Sequence, residues 1–385
     1  MNHILKCHDI IKTNFVRGEN CYLYDDQGKR YIDFEAGCWA AALGFNHPQI
    51  NRVMRTQIEK IIHLGSRYPN MTVEDAAMDI LDIVGIHNGK CVFLSSGSEA
   101  VELSVQIARF ITKEQYLLTF TNSCLGSYGS AGTKKADEWQ LFDWSSSIHQ
   151  NECESIKDIS FENIGGFVFE PGGSGSESVK FPSKHLVQCI SQQITKKGGL
   201  LVANEITTGM GRTGKWFGFQ HYDIQPDIVA LGKCLGNGYP VSAVVMKQEV
   251  AEKLENNGFY YVQSHQNDPL GAAVAKEVIA VIREENWIER GDTTGKYFLE
   301  GLKRLGEKHN IVKDARGRGM LLALELYPHE KFSTLDLYHM LLDKGCLVGY
   351  RPGRNFLRFD PSLTIYKENV DYLLECLNDI LRSIN

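Results

Sequence analysis

Val202–Met246, reading VANEITTGMGRTGKWFGFQHYDIQPDIVALGKCLGNGYPVSAVVM, is the stretch that decides how this chain is understood. Pro226-Asp227-Ile228-Val229-Ala230-Leu231 is an apolar run of strand length, and Gly232-Lys233 ends it ahead of a glycine-rich Gly236-Asn237-Gly238 turn. A lysine leaving a strand end into such a loop can direct its amine into a cleft, which is where an aldehyde cofactor needs its nucleophile. Taken alone, one loop lysine is more often solvated, so the weight rests on its surroundings.

Around this run, short apolar segments alternate with longer amphipathic ones, the pattern of an α/β fold with a mainly parallel sheet. Strands are expected at Lys90–Leu94, Gln115–Phe120, Gly165–Phe169, Gly199–Ala203 and Asp227–Leu231. Helices are expected at Pro48–Ile62, Glu99–Phe110 and Lys184–Thr195, where apolar residues recur at three- and four-residue spacing. Glycine-rich patches at Gly126–Gly132 and Gly172–Gly175 follow strands, the place where open α/β sheets carry ligand loops. From about Pro269 the pattern changes to a long helix reaching Glu285, a turn and strand over Arg316–Leu326, and a final amphipathic helix over Val370–Ile384. Near the start, Gly18–Phe34 reads as a hairpin turning at Asp25-Asp26-Gln27-Gly28.

A chain of 385 residues can hold one large domain and a smaller one, and 43% hydrophobic with 23% charged residues is an ordinary globular balance. The net charge of −6 gives no footprint for nucleic acid or an anionic membrane surface. No apolar run approaches the roughly eighteen residues that span a membrane. The ten cysteines form no CxxC pair and no His/Cys cluster has zinc spacing, so no metal is expected and the thiols read as reduced and mostly buried. The opening residues lack a signal peptide, so a cytoplasmic protein is expected.

Thr208-Gly209-Met210-Gly211-Arg212-Thr213-Gly214 stands between Asn204-Glu205 and the lysine after Pro226-Asp227-Ile228. This arrangement resembles the class III aminotransferases, the ornithine, acetylornithine and 4-aminobutyrate group of pyridoxal-phosphate (PLP) enzymes. The hairpin, Glu35-Ala36-Gly37 and Leu43-Gly44-Phe45-Asn46-His47-Pro48 resemble the same family, so the likeness runs from about Gly18 to Asn378. It implies an α/β PLP-dependent transferase fold of type I. In that fold residues 1–50 join the small domain, 51–272 form the large cofactor domain with a mainly parallel central sheet, and 273–385 form the smaller α+β domain. It also implies a homodimer with active sites at the interface, acting on an amino acid and a 2-oxo acid.

The resemblance assigns roles residue by residue. Lys233 takes the place of the Schiff-base lysine and catalytic base. Ser95-Ser96-Gly97-Ser98-Glu99-Ala100 reads by itself as a capped helix start, while the family places its phosphate on Gly97 and Ser98. Ser264, in Ser264-His265-Gln266-Asn267-Asp268-Pro269-Leu270, replaces a threonine that the partner subunit lends to the phosphate. Ile206 matches the residue on one face of the ring, and Cys124 falls where an aromatic residue stacks on the other. Thr207 occupies a position often held by Gln near the phenolic oxygen, and Glu170 keeps the family's Glu-Pro pair. Arg358, within Leu357-Arg358-Phe359-Asp360-Pro361-Ser362-Leu363, stands where an arginine forks onto the substrate carboxylate. Arg316-Gly317-Arg318-Gly319 is expected to shape the same region, with no contact assigned. Trp39 could wall the pocket, although a core aromatic is the plainer reading.

One position breaks the pattern: Asn204 replaces the aspartate that pairs with the pyridine nitrogen. An amide cannot compensate a pyridinium charge, but its NH2 can donate to an unprotonated ring nitrogen. Three readings stay open on the sequence. The chain is a transaminase that tolerates a neutral ring, a racemase or epimerase on the same scaffold, or a degenerate or engineered form that binds PLP or amines without turnover.

Overall fold

The computed structural model of the chain describes residues 3–5, 7, 11–144, 152–157, 159–172 and 179–384. Its strands, in chain order, are β1 (Phe15–Glu19), β2 (Tyr22–Asp25), β3 (Arg30–Asp33), β4 (Lys90–Leu94), β5 (Tyr116–Phe120), β6 (Trp139–Phe142), β7 (Ile164–Phe169) and β8 (Leu200–Asn204). They continue with β9 (Ile228–Leu231), β10 (Ser242–Met246), β11 (Val312–Arg318), β12 (Leu321–Leu326), β13 (Cys346–Leu347), β14 (Gly349–Tyr350) and β15 (Phe356–Phe359).

The central sheet runs β4-β10-β9-β8-β7-β5-β6. Neighbours from β9 through β8, β7 and β5 to β6 are parallel, whereas β10 is antiparallel to both β9 and β4. Both faces are covered, which is why β7, β9 and β10 are buried at every position instead of alternating. The two-residue strand period still sorts the side chains. Along β8, Val202 joins the core cluster built on the helix Gly97–Thr112, while Leu201 and Ala203 join the larger cluster on the other side.

Two smaller sheets flank this one. β13 adds in parallel to β3 at the edge of the β1-β2-β3 meander, so the two ends of the chain share a sheet. β11, β12, β15 and β14 form an antiparallel sheet.

The expected α/β architecture with a mainly parallel sheet holds, and the differences have local causes. β10 is not among the expected strands, and its antiparallel direction is set by pairing that composition does not encode. The helix Pro48–Ile58 stops short of Ile62, and the Gln57 side chain donates to the Ile61 carbonyl at 2.8 Å where the chain turns away. Arg316, Gly317 and Arg318 lie inside β11, and the turn falls at Gly319-Met320. Gly173–Gly175 of the second glycine patch lie outside the described residues. Cys189 is disulfide-bonded, a correction to the expectation of reduced thiols, since sequence spacing carries no sign of cysteines that only folding brings together. Among the described residues, no helix is long and apolar enough to cross a membrane.

Candidate active site

β9 ends at Leu231, Gly232 continues extended, and Lys233 opens a short 3-10 turn over Lys233–Gly236 in the left-handed region, at φ 46°. For a residue other than glycine this conformation costs on the order of 1–2 kcal/mol, so the surroundings must hold it. They do so through Asn237. Its carboxamide accepts from the Leu43 N–H at 2.8 Å and donates to the Gly44 carbonyl at 3.0 Å, while the Cys234 thiol donates to the Trp39 carbonyl at 2.8 Å. The lysine amine sits over the Trp39 ring, 4.5 Å from its centroid. Burial lowers the Lys233 pKa below the ordinary lysine value, opposed by the nearby Glu170 carboxylate.

Asn204, at the end of β8, is buried in the wall beside it. Its Nδ2 donates to the Cys124 carbonyl at 2.8 Å and its Oδ1 accepts from the Ile206 N–H at 3.2 Å. Glu170 closes the circuit, accepting from the Cys124 N–H at 3.2 Å and from the Thr207 hydroxyl at 3.1 Å. Asn204, Cys124, Glu170 and Thr207 are therefore one hydrogen-bonded unit. Ile206 packs on the opposite flank, so closely that a Cβ on Gly97 would lie 2.7 Å from Ile206 Cγ2.

Gly97 and Ser98 begin the helix Gly97–Thr112, where the Ser96–Glu99 capping box takes up the Glu99 amide. The amides of Gly97 and Ser98 precede it, on the side where a helix leaves donors for an anion. Ser98 Oγ accepts from the Ser127 N–H at 3.0 Å, and Gly126, at φ 120°, passes close enough that a Cβ would stand 3.1 Å from that oxygen. Anion donors, an apolar face, a buried amide with one N–H to spare and an adjacent amine together match the parts of a phosphorylated pyridine aldehyde. The residues present fit PLP.

This circuit makes Asn204 more than a neutral replacement for aspartate, because a carboxylate there would face the Cys124 carbonyl without a proton to give. Asn204→Asp should lower apo-protein stability by roughly 1–3 kcal/mol, and added PLP should narrow the gap by offering a ring N–H. Thermal melts with and without PLP test this; an unchanged apo midpoint would contradict it.

The other wall begins with a backbone feature absent from the sequence reading. Ala36, Gly37, Cys38 and Trp39 have φ of 46°, 57°, 60° and 66°, one turn of left-handed helix. Asp33 holds its entrance, accepting from the Glu35 N–H at 2.7 Å and the Gly37 N–H at 3.2 Å. The turn delivers the Trp39 indole into the pocket, where the Arg358 guanidinium lies 3.7 Å from the ring centroid. Lys233 and Arg358 thus meet at one aromatic ring, attracted by its π-system. The indole is buried, as a core reading expects, but it is also the pocket wall, and its Nε1 has no partner in the structure.

Arg358 Nε donates to Asp360 Oδ1 at 2.8 Å, and Nη2 faces Glu35 Oε1 at 3.9 Å. Burial, together with repulsion from Asp360 and Asp33, pushes the Glu35 pKa up to about 8, and the Arg358 charge only partly opposes this. Folding therefore favours protonated Glu35. That stabilisation is complete below 4.5, the ordinary glutamate value, and is lost as pH rises to about 8. Asp33, raised to about 6 chiefly by burial, acts in the same direction. The apo protein should melt progressively lower across this window, and Glu35→Gln should flatten the slope; parallel slopes for the two proteins would contradict it.

Ser264 is exposed and lines a cavity of about 410 Å³ with Ser66, Arg67 and Tyr68, not with Gly97 and Ser98. Tyr68 and Val262 in that lining are 67% and 52% exposed, an apolar surface of the kind a second chain covers.

The class III aminotransferase profile matches residues 6–131 and 130–381 of this chain. The chain belongs to the class III aminotransferases. Acetylornithine aminotransferase of Aquifex aeolicus is 31% identical over 397 residues, covering 99% of this chain and all of that one. The [LysW]-aminoadipate semialdehyde/glutamate semialdehyde transaminase of Sulfolobus acidocaldarius is 30% identical, over 96% of this chain and 95% of its own. Acetylornithine aminotransferase from Elizabethkingia anophelis superimposes with a TM-score of 0.86 at 25% identity, over 99% and 96% of the two chains.

Several residues of this aminotransferase site have roles that the sequence reading does not assign. Glu205, the acid next to Asn204, points away from the pocket and clamps the TGxGRTG loop. It accepts from the Gly218 and Phe219 amides at 2.8 and 2.7 Å and from the Thr208 hydroxyl at 2.7 Å. Arg212, fully buried, donates to the Met320 carbonyl at 3.3 Å, to the Pro361 carbonyl and to the Cys234 sulfur. It ties the motif to the strand that carries Arg358. Glu35 lies in the Glu35-Ala36-Gly37 run that resembles the family, but the resemblance gives it no role.

Proposed function

We propose that this PLP-dependent aminotransferase uses Lys233 both to hold the cofactor aldehyde and to move the substrate proton. The observation that carries the reading is the meeting of Lys233 and Arg358 on the Trp39 ring, a half-buried amine beside a guanidinium. PLP, when bound, supplies an aldehyde and an electron-accepting ring.

Gly97 and Ser98 would hold its phosphate by their amides and hydroxyl. Ile206 would cover one ring face and Cys124 the other, with Thr207 toward the phenolic oxygen and Asn204 donating to the ring nitrogen. Lys233, its pKa lowered by burial, provides a neutral amine closer to neutral pH than a solvated lysine does. Arg358, its Nε side held by Asp360, turns its Nη side toward the substrate carboxylate, which takes the place of Glu35.

The exposed apolar surface around Ser264 supports a homodimer in which Ser264 of the partner subunit completes the phosphate site. It is consistent with a cofactor domain over 51–272, flanked by a small domain from 1–50 and 273–385. The relatives favour an amino acid with a side-chain amine, such as N-acetylornithine, as donor. The test is to incubate the holoenzyme with N-acetylornithine, ornithine and ω-amino acids in the presence of 2-oxoglutarate. Glutamate formation with one of them supports the reading. α-Deuterium exchange without glutamate would point to racemisation instead.

A further inference from the structure

His63, beyond the helix Pro48–Ile58, meets His265 and Asp268, which lie some two hundred residues later, ahead of the helix Pro269–Glu284. Asp268 occupies the N-cap of the latter helix, the position where an aspartate ordinarily accepts from the first free amides. Here it makes no such cap. Its two carboxylate oxygens turn instead to two imidazoles, Oδ1 to His63 Nδ1 at 2.6 Å and Oδ2 to His265 Nδ1 at 2.5 Å. The imidazole rings lie 4.9 Å apart. The segment is anchored next to these groups, since Asn267 exchanges two hydrogen bonds with the β4 backbone, its N–H to the Phe93 carbonyl at 3.0 Å and its Oδ1 from the Phe93 N–H at 2.9 Å.

We propose that His63, His265 and Asp268 form a binding site for a divalent transition-metal ion of the zinc type. Two imidazole nitrogens and one carboxylate are the donor set that borderline ions such as Zn²⁺ and Co²⁺ prefer. The ligand atoms lie within 4.8 Å of one another, and a tetrahedral ion with bonds of about 2.0–2.1 Å needs them about 3.4 Å apart. Rotation of the two exposed rings about an anchored carboxylate closes that gap: the side chains of His63 and His265 are 46% and 60% exposed, against 16% for Asp268. The fourth position is left to water. A metal here cross-links the loop after Pro48–Ile58 to the loop carrying Ser264. Spacing rules for zinc ligands do not find it, because the histidines belong to loops far apart in the chain.

The test is calorimetric titration of the untagged holoenzyme with ZnCl₂, repeated with CoCl₂ while recording the visible absorption of the cobalt ion. The expected result is one ion per chain with micromolar affinity and a tetrahedral cobalt spectrum. His63→Ala and His265→Ala, both at exposed positions, should each weaken binding by about tenfold or more, and His87→Ala, at an exposed histidine elsewhere, should leave it unchanged. Millimolar or weaker binding overturns the proposal. So does tight binding that survives both variants, which would place the ion on other groups such as the pocket thiols.

Discussion

Lys233→Ala lowers the aminotransferase rate by about 10⁴-fold or more, the upper end of what a positioned acid–base group contributes. The expectation rests on two jobs falling to one amine. Burial holds its pKa down, so the neutral form needed for attack and for proton transfer is populated at lower pH than in a solvated lysine. The left-handed backbone at Lys233, held by Asn237 and Cys234, fixes where that amine projects. Lys233→Arg keeps the cation over Trp39 but never offers a free pair, so it should lose as much rate as alanine. Borohydride treatment separates these effects from folding, since it should fix PLP covalently to the native protein at Lys233 and to neither variant. PLP should still bind both variants through Gly97 and Ser98. An arginine variant with near-native turnover would show that only the charge of Lys233 matters.

Arg358→Ala has the second largest expected effect, and it is of two kinds. Losing a forked guanidinium that receives a carboxylate should raise the KM for the carboxylate substrate by about 10²–10³-fold, with a smaller change in kcat. The substitution also strands Asp360, which is fully buried and whose Oδ2 already lacks a partner. An uncompensated buried carboxylate costs about 3–5 kcal/mol, unless it takes up a proton. Burial already raises the Asp360 pKa, with the Arg358 charge as the main opposing influence, so protonation is the expected relief. The two effects separate in the double variant Arg358→Ala/Asp360→Asn. It should recover much of the lost stability and none of the lost substrate affinity. If KM recovers along with the melting point, Arg358 acts only as a structural partner of Asp360.

The parts of this molecule that sequence reading reached are those fixed by local pattern. β4 stands at the expected residues, and the helix Gly97–Thr112 begins at Gly97 because Ser96 and Glu99 write a capping box into the chain. Lys233, Asn204, Ile206, Thr207 and Cys124 come together because they sit at strand ends of one sheet, where loops from neighbouring strands must converge. What stayed hidden depends on contacts between distant segments. The left-handed turn at Ala36–Trp39 contains a single glycine, and only the folded chain sets Trp39 against Lys233 and Arg358, and Glu35 against Arg358. The role of Asn204 as donor to the Cys124 carbonyl appears only once β8 and the loop after β5 are side by side. Ser264 lines a cavity apart from Gly97 and Ser98, so the fold of one chain does not bring it to the phosphate position that the resemblance assigns.

The most direct test of the account is the absorption spectrum of the purified PLP-loaded protein, followed through titration with the amino-acid panel and then a 2-oxo acid. The account predicts that one amino donor replaces the band of the aldehyde cofactor with that of the aminated cofactor, and that the 2-oxo acid restores it. A band that shifts on amine binding but never converts, across the whole panel, would contradict amino-group transfer at this site.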